Sequence, residues 1–307
     1  MTLAPILLFA YNRPDHLAQT LSALRANLLA AESTLYIYSD APATEKDAAG
    51  VAAVRALIQN VEGFQHVEVI ERDTNWGLAT NIIAGVTERV NAWGRVIVLE
   101  DDLLTSPYFL TFMNEGLSLY ATIEQVMCVQ AHVLATPEQL PETFFIRFAN
   151  SWGWATWQRA WQQFEPDGRV LLRGLEQRQA TRRFDFDGRY PFTRMLRRQI
   201  AGQNHSWAIR WNASLFLADG LSLNAGRSLV RNIGTDGSGT NFKRAAEFRT
   251  NLYAGDAPLR LTPEAPLVES ELARRAIGRI FAYEYSKITK AKHLVFQLWR
   301  RFSALFS

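Results

Sequence analysis

Three consecutive carboxylates, Glu100-Asp101-Asp102, close the apolar run Val96-Ile97-Val98-Leu99. Hard oxygen donors at a strand end suit Mg²⁺ or Mn²⁺, which take few protein carboxylates and complete their shell with phosphate oxygens. Such an ion clamps a diphosphate and neutralises its charge as it departs. An isolated Glu-Asp-Asp is equally an ordinary solvated turn, so its setting decides. Asn12 and Arg13 follow a second apolar run, Pro5 to Phe9, and Asp40 follows a third, Leu35 to Ser39. Polar groups therefore recur where strand-like runs end.

The elements that must position these groups follow from hydrophobic periodicity. Leu17, Leu21, Leu24 and Leu28 recur at helical spacing after Pro14 and Asp15, residues suited to a helix start. Val51, Val54 and Ile58 mark a second helix, Val67 to Ile70 a third strand, and Ile82, Ile83, Val86 and Val90 a third helix after Gly77. Strand alternating with helix predicts an α/β fold, a mostly parallel sheet with helices on both faces. Ligands of such sheets bind beyond the carboxyl ends of the strands, where the polar groups lie. After Tyr108 the rhythm changes, and the tail from Glu269 onward is helix-like.

Composition narrows the class. The 307 residues are 48% hydrophobic and 21% charged, an ordinary globular balance. A single cysteine, Cys128, excludes an internal disulfide and a cysteine zinc site. The net charge of +3 is too mild to imply nucleic acid. Between residues 277 and 307 there are six bases against one acid, Glu284. No apolar run approaches the ~18 residues of a spanning helix, and the opening Met1-Thr2-Leu3-Ala4-Pro5 lacks the basic start of a signal peptide. The expected location is the cytoplasm, at the inner face of the cytoplasmic membrane if the tail meets lipid. Neither a Walker A loop nor a dinucleotide fingerprint occurs: the late Gly234-x-x-Gly-x-Gly has the wrong spacing and context.

With these residues assembled, the chain resembles a known family. Pro5 to Arg13, Asn75-Trp76-Gly77-Leu78-Ala79 and Val98 to Leu103 look like a GT-A-fold glycosyltransferase. Glu100 to Phe112, with Pro107, Tyr108 and Phe109, is most similar to the enzymes that add N-acetylglucosamine to the mannose core of N-glycans. Trp152-Gly153-Trp154 and Ser228 to Asn232 also resemble that family, and bacterial sugar transferases of surface-polysaccharide pathways share the layout. The resemblance covers residues 4–243. It implies a GT-A-like, Rossmannoid mixed sheet over residues 1–250, with a nucleotide-binding half (1–115) and an acceptor half (116–250). Residues 251–307 form a C-terminal extension. It implies a nucleotide-sugar donor, UDP favoured, a saccharide acceptor and Mn²⁺ or Mg²⁺. By position Asp102 would ligate the metal, Glu100 and Asp101 would contact ribose and sugar, and Asp40 would read the base. Asn12, Arg13 and Asn75 would line the donor pocket, with Gly153 at the donor–acceptor boundary. Pathway analogy suggests a lipid-linked acceptor.

The related N-glycan enzymes invert and use an Asp shortly before a Trp as base. The matching place here is His205-Ser206-Trp207, a departure, although neutral imidazole also accepts a proton near pH 7. Asp185 and Asp187, in Phe184-Asp185-Phe186-Asp187-Gly188, are rival bases, or alternatively the polar face of an edge strand. If none of the three acts, a retaining mechanism gains. Two other readings stay open: a nucleotidyltransferase, disfavoured by Ala10-Tyr11-Asn12-Arg13-Pro14 where a Gly-rich loop is wanted, and a non-catalytic carbohydrate-binding relative.

Trp154, Trp157 and Trp161 fall on one helical face and predict core, while Trp207 and Trp211, four apart, are expected to pack together. The loop Gly234 to Asn241 has the composition of a lid that orders over a diphosphate. In the tail, Leu294, Leu298, Phe302 and Leu305 with Lys290, Lys292, Arg300 and Arg301 read as a basic amphipathic helix. Residues 284–307 would then contact an anionic membrane surface or pack on the domain.

Overall fold

The computed structural model describes residues 2–235, 250–262 and 266–286. Its first part alternates as the periodicity predicts: β1 (Ile6–Ala10), α1 (Pro14–Arg25), β2 (Thr34–Ser39), α2 (Ala48–Ile58), β3 (His66–Glu71), α3 (Gly77–Trp93) and β4 (Arg95–Glu100). β1 is buried along its whole length, as an unbroken apolar run in a parallel sheet must be. Leu17, Leu21 and Leu24 face the core, but α1 stops at Arg25, so Leu28 lies beyond its end and is exposed. α3 ends at Gly94, whose left-handed conformation (φ 75°) returns an N–H to Val90.

The chain continues through β5 (Leu103–Thr105), α4 (Phe109–Leu119), β6 (Val126–Gln130), β7 (Thr143–Ile146), β8 (Trp154–Trp157) and the single-turn α5 (Gln158–Trp161). Helices α6 (Gly168–Gln177), α7 (Thr181–Phe184), α8 (Phe192–Ile200) and α9 (Trp207–Leu217) precede β9 (Leu221–Ala225) and β10 (Val230–Asn232). Residues 271–286 are helical.

Eight strands form one mixed sheet in the order β3-β2-β1-β4-β8-β6-β9-β7. β8 runs antiparallel to both neighbours and β7 antiparallel to β9, while the other pairings are parallel. The fold is thus the mixed, mostly parallel α/β sheet expected. β4 of the first half pairs with β8 of the second, and α4 spans residue 115, so one sheet runs through both halves. A separate ribbon pairs β5 with β10. α1, α2 and α4 cover one face, and α3, α5 and α9 the other.

The core has two parts. The larger cluster fills both faces of the sheet; the smaller gathers Phe184, Phe186, Phe192, Phe216, Ile277 and Phe281 among α6 to α9 and the helix over 271–286. The predicted helical stripe of tryptophans is corrected here. Trp154 and Trp157 stand on strand β8, and only Trp161 is helical. All three are buried nonetheless, and Trp207 and Trp211 both pack on Trp154, with ring centroids 5.2 and 6.1 Å away. A spacing of three and seven is shared by a helix face and by a strand followed by a turn of helix, which is why the pattern misleads.

The edge-strand alternative for 184–188 is also corrected. These residues form the end of α7 and a tight turn in which Phe186 and Asp187 take positive φ (50° and 61°). Of the extension, Leu259 and Tyr253 pack on the main core and residues 273–281 on the smaller one. The Gly loop beyond residue 235 and the tail beyond 286 lie outside the described residues. Among the described residues no helix is long and apolar enough to cross a membrane.

Candidate active site

β4 delivers the acidic triplet to the carboxyl edge of the sheet, beside the end of β1. Asp101 is fixed there through both backbone and side chain: its carbonyl accepts from Thr20 Oγ1 (2.8 Å), and its Oδ2 accepts from the Tyr11 N–H (3.2 Å). Asp102 is fixed by the β5–β10 ribbon, its carbonyl accepting from Ile233 N (2.8 Å). Arg13 closes the cluster. A single terminal nitrogen, Nη2, donates to Asp101 Oδ1 (2.5 Å) and to Asp102 Oδ2 (2.8 Å). Gly234 lies against the bridge so closely that a Cβ there would stand 2.1 Å from Asp102 Oδ2 and 2.8 Å from Arg13 Nη1. Asn232 holds this approach, its Oδ1 accepting from Gly234 N (2.8 Å) while its amide faces Asp102 Oδ1 at 3.4 Å.

Among the described residues the cluster holds more carboxylates than cations. Burial opposes ionisation of Glu100, and the charges of Asp102 and Asp101 push its carboxyl further up. Burial likewise pushes Asp101 up to about 6 despite Arg13. Burial works against the Arg13 charge too, yet the two aspartates outweigh it and hold the guanidinium more basic than usual.

A divalent cation fits this donor set. Among the described residues two aspartates share one guanidinium, with the Glu100 carboxyl near enough to feel all three charges, so additional positive charge would be welcomed here. Among the described residues no three His, Cys, Asp or Glu side chains converge to hold an ion unaided. An ion at Asp102 would therefore draw most of its shell from ligand phosphates, as Mg²⁺ and Mn²⁺ do.

Next along the edge, Asp40 is already saturated. Its carboxylate accepts from the N–H groups of Ala41 (2.9 Å), Trp76 (2.9 Å) and Gly77 (2.8 Å) and from Asn75 Nδ2 (3.2 Å). These bonds satisfy the first donors of α3 and pin the β3–α3 turn to β2. Asn75 serves the same turn, donating to the Ala41 carbonyl (2.6 Å). Asn12 donates to Asp47 (2.8 Å), and Arg72 stacks on Trp76 at 3.8 Å. Tyr11, not singled out from sequence, joins the two parts of the edge: its N–H meets Asp101 and its hydroxyl accepts from Ala43 N (2.9 Å).

Across β4, Gly153 precedes β8 with φ 66°, and a Cβ there would lie 2.6 Å from Val230 Cγ2. The turn before it is built by a group the sequence reading missed. Asn150 Oδ1 accepts from Ser151 N (2.7 Å), and its amide donates to His132 Nδ1 (2.6 Å). The remaining imidazole nitrogen meets Thr250 Oγ1 at 2.9 Å, and the ring packs edge-on to Trp152. Burial pushes the His132 imidazole down to about 3, so it is neutral. The available signal was Gln130-Ala131-His132, two polar residues at the end of an apolar run.

The three candidate bases differ in setting. His205 is exposed and two residues ahead of Trp207, whose ring stacks on Trp154 at the start of β8. Trp154 pairs with Val98, two residues before Glu100, so α9 begins on the side of the carboxyl edge. Asp185 instead accepts from Thr193 N (2.6 Å) and Oγ1 (2.8 Å), capping α8, and burial raises its carboxyl. Asp187 pairs with Arg274 at 3.4 Å. A groove of about 550 Å³ between α3 and α9, lined by Ala79, Ile83, Thr87 and Arg210, contains none of the strand-end residues.

No protein-family model and no curated protein matches the chain. Solved structures do. The chain is similar to S. aureus TarS, at 10% identity and a TM-score of 0.31 over 46% of this chain and 25% of that one. A mannosyltransferase from Pyrobaculum calidifontis in complex with GDP-Man and Mn²⁺ gives 11% and 0.38, over 70% and 75%. Mouse xyloside xylosyltransferase 1 gives 13% and 0.34, over 61% and 76%. The chain spans about a quarter of TarS and about half of its 1–349 fragment. At these TM-scores the likenesses carry no argument about activity, which rests on the site itself.

Proposed function

We propose that the protein is a metal-dependent glycosyltransferase. It moves a sugar from a nucleoside-diphosphate donor, UDP favoured, to a saccharide hydroxyl, with inversion, in the synthesis of a bacterial surface polysaccharide. One observation carries the reading: two buried aspartates sharing one guanidinium among the described residues, held at the carboxyl edge of a parallel sheet between β1 and the β5–β10 ribbon. That edge is where such sheets bind ligands, and that charge is what a cation-bound diphosphate complements.

In this reading Asp102 holds the cation, which when bound neutralises charge on the departing diphosphate. Glu100 and Asp101 orient ribose and sugar. Tyr11 and Asn12 form the nucleotide wall, and Asn75 and Asp40 hold the β3–α3 turn that completes it. Gly153 lets the transferred sugar approach backbone. His205 takes the proton of the acceptor hydroxyl, since Asp185 and Asp187 are engaged by Thr193 and Arg274. The same engagement favours a second reading, donor binding without turnover, if His205 does not act.

Calorimetric titration of UDP and GDP, with and without Mn²⁺, tests the donor site. Metal-dependent binding to the wild type that disappears in Asp102→Asn supports it. Binding of neither nucleotide with any metal overturns it. A screen of donor sugars and acceptors then separates transfer from binding alone.

A further inference from the structure

Arg13 occupies the place where positive charge is wanted. Its Nη2 bridges Asp101 Oδ1 and Asp102 Oδ2. Its other terminal nitrogen lies beside Gly234. The side chain is largely buried, so water screens the bridge little. From this juxtaposition we infer that Arg13 is a resident counter-cation. In the ligand-free protein it neutralises the aspartate pair in place of a metal ion, and it must leave Asp102 before a divalent cation can bind there. The inference rests on the reading of Asp102 as the cation-facing carboxylate.

Three features support it beyond proximity. The bridge uses one nitrogen for both carboxylates rather than the two parallel bonds of a fork, so a modest rotation of the guanidinium frees Asp102 while Asp101 keeps a partner. Asp101 is anchored independently by Tyr11 N, so it does not follow the arginine out. The residue that packs on the bridge is Gly234, which leaves room where any side chain would collide with Asp102 Oδ2. An arginine released next to an incoming diphosphate has a natural acceptor in the phosphate oxygens. Metal and nucleotide therefore bind together: the ion alone competes with Arg13, whereas the diphosphate draws Arg13 away and supplies ligands at once. Arg13 is in this sense a positioning residue that makes the cation's affinity conditional on the donor.

The test measures Mn²⁺ binding by electron paramagnetic resonance, without and with UDP and GDP, in the full-length protein. Arg13→Gln is expected to bind Mn²⁺ alone at least tenfold more tightly than the wild type. It should also lose most of the tightening that nucleotide confers. In parallel, 1 mM Mn²⁺ should raise the melting temperature of Arg13→Gln and leave that of the wild type nearly unmoved. Should Arg13→Gln not fold without metal, Arg13→Gln/Asp102→Asn, which removes the unpaired charge, is expected to fold without it and to show no Mn²⁺ response. Equal Mn²⁺ affinity in the wild type and Arg13→Gln, or an unfolded double variant, overturns the inference. Those results leave the donor-site reading standing as long as Asp102→Asn abolishes Mn²⁺–nucleotide binding. If Asp102→Asn binds as the wild type does, that reading itself fails.

Discussion

Arg274 and the partly buried Arg13 meet carboxylates in opposite circumstances. Arg274, on the helix over 271–286, is almost fully enclosed, stacked at 4.8 Å on Phe186. It faces Glu269 and Asp187, each at 3.4 Å, and donates to the Arg183 carbonyl at 2.7 Å. Arg183 also pairs with Glu269 and reaches Glu271 at 3.7 Å, so cations and anions there share one network. Arg13 has shorter contacts and a worse balance, the one cation among the described residues that pairs with Asp101 and Asp102. A shared network ties a helix to its neighbours; an outnumbered arginine is what the proposed cation site calls for. Buried ion pairs are poor evidence of stability by themselves, but the two kinds should respond differently when a charge is removed.

The largest expected effect is on the balanced side. Arg274→Met leaves Glu269 with fewer partners and removes the stack on Phe186, and should cost about 3 kcal/mol. Asp102→Asn removes one of the clustered carboxylates and should leave stability unchanged or raise it, while abolishing the proposed metal-dependent nucleotide binding. Chemical denaturation of both variants without metal decides the comparison. A loss in Asp102→Asn as large as in Arg274→Met would make the edge cluster a structural network like the other.

A smaller effect concerns the coupling of the edge to the β5–β10 ribbon. Ala at position 153 would have to keep a φ of 66° and hold its Cβ 2.6 Å from Val230 on β10. Gly153→Ala is therefore expected to cost about 2 kcal/mol, part of it from the left-handed backbone. Because β10 runs on into the Asn232–Gly234 approach to Asp102, nucleotide affinity should fall with it. A stability loss without a change in affinity would separate Gly153 from the site.

How much of this was legible in the sequence depends on range. The triplet and the strand ends were readable because an apolar run followed by carboxylates is a local signal. The first three strand–helix units were readable from periodicity alone. The Arg13 bridge was not, since it joins residues 88 and 89 positions apart. The saturation of Asp40 by the β3–α3 turn could not be read either, because three of its four donors lie on Asn75, Trp76 and Gly77. Trp154 and Trp157 were read as core correctly and as helix wrongly, since a three-residue spacing does not separate the two periods over so short a stretch. His132 was missed because its partners, Asn150 and Thr250, are remote in sequence and its burial depends on them.

His132 supplies the smallest and most specific test of the edge. Its folded imidazole is held near 3 by burial, whereas in the unfolded chain it titrates near 6.5. Below pH 6.5 the unfolded state therefore binds the extra proton, and stability falls as pH falls, continuing down to the folded value. Between pH 6.5 and 5.5 this should cost about 1 kcal/mol. Glu100 and Asp101 act in the opposite sense: with their carboxyls raised to about 8 and about 6, the folded state holds more of their protons than the unfolded chain over the same interval, so acidification favours it. The wild-type profile alone is thus a difference of two trends, and the informative quantity is its separation from His132→Gln. That variant should lose about 1 kcal/mol less than the wild type over the interval, in denaturant titrations at the two pH values. Parallel profiles would mean that His132 is reached by solvent, and that the Asn150–Trp152 turn beside Gly153 is not held by a neutral imidazole.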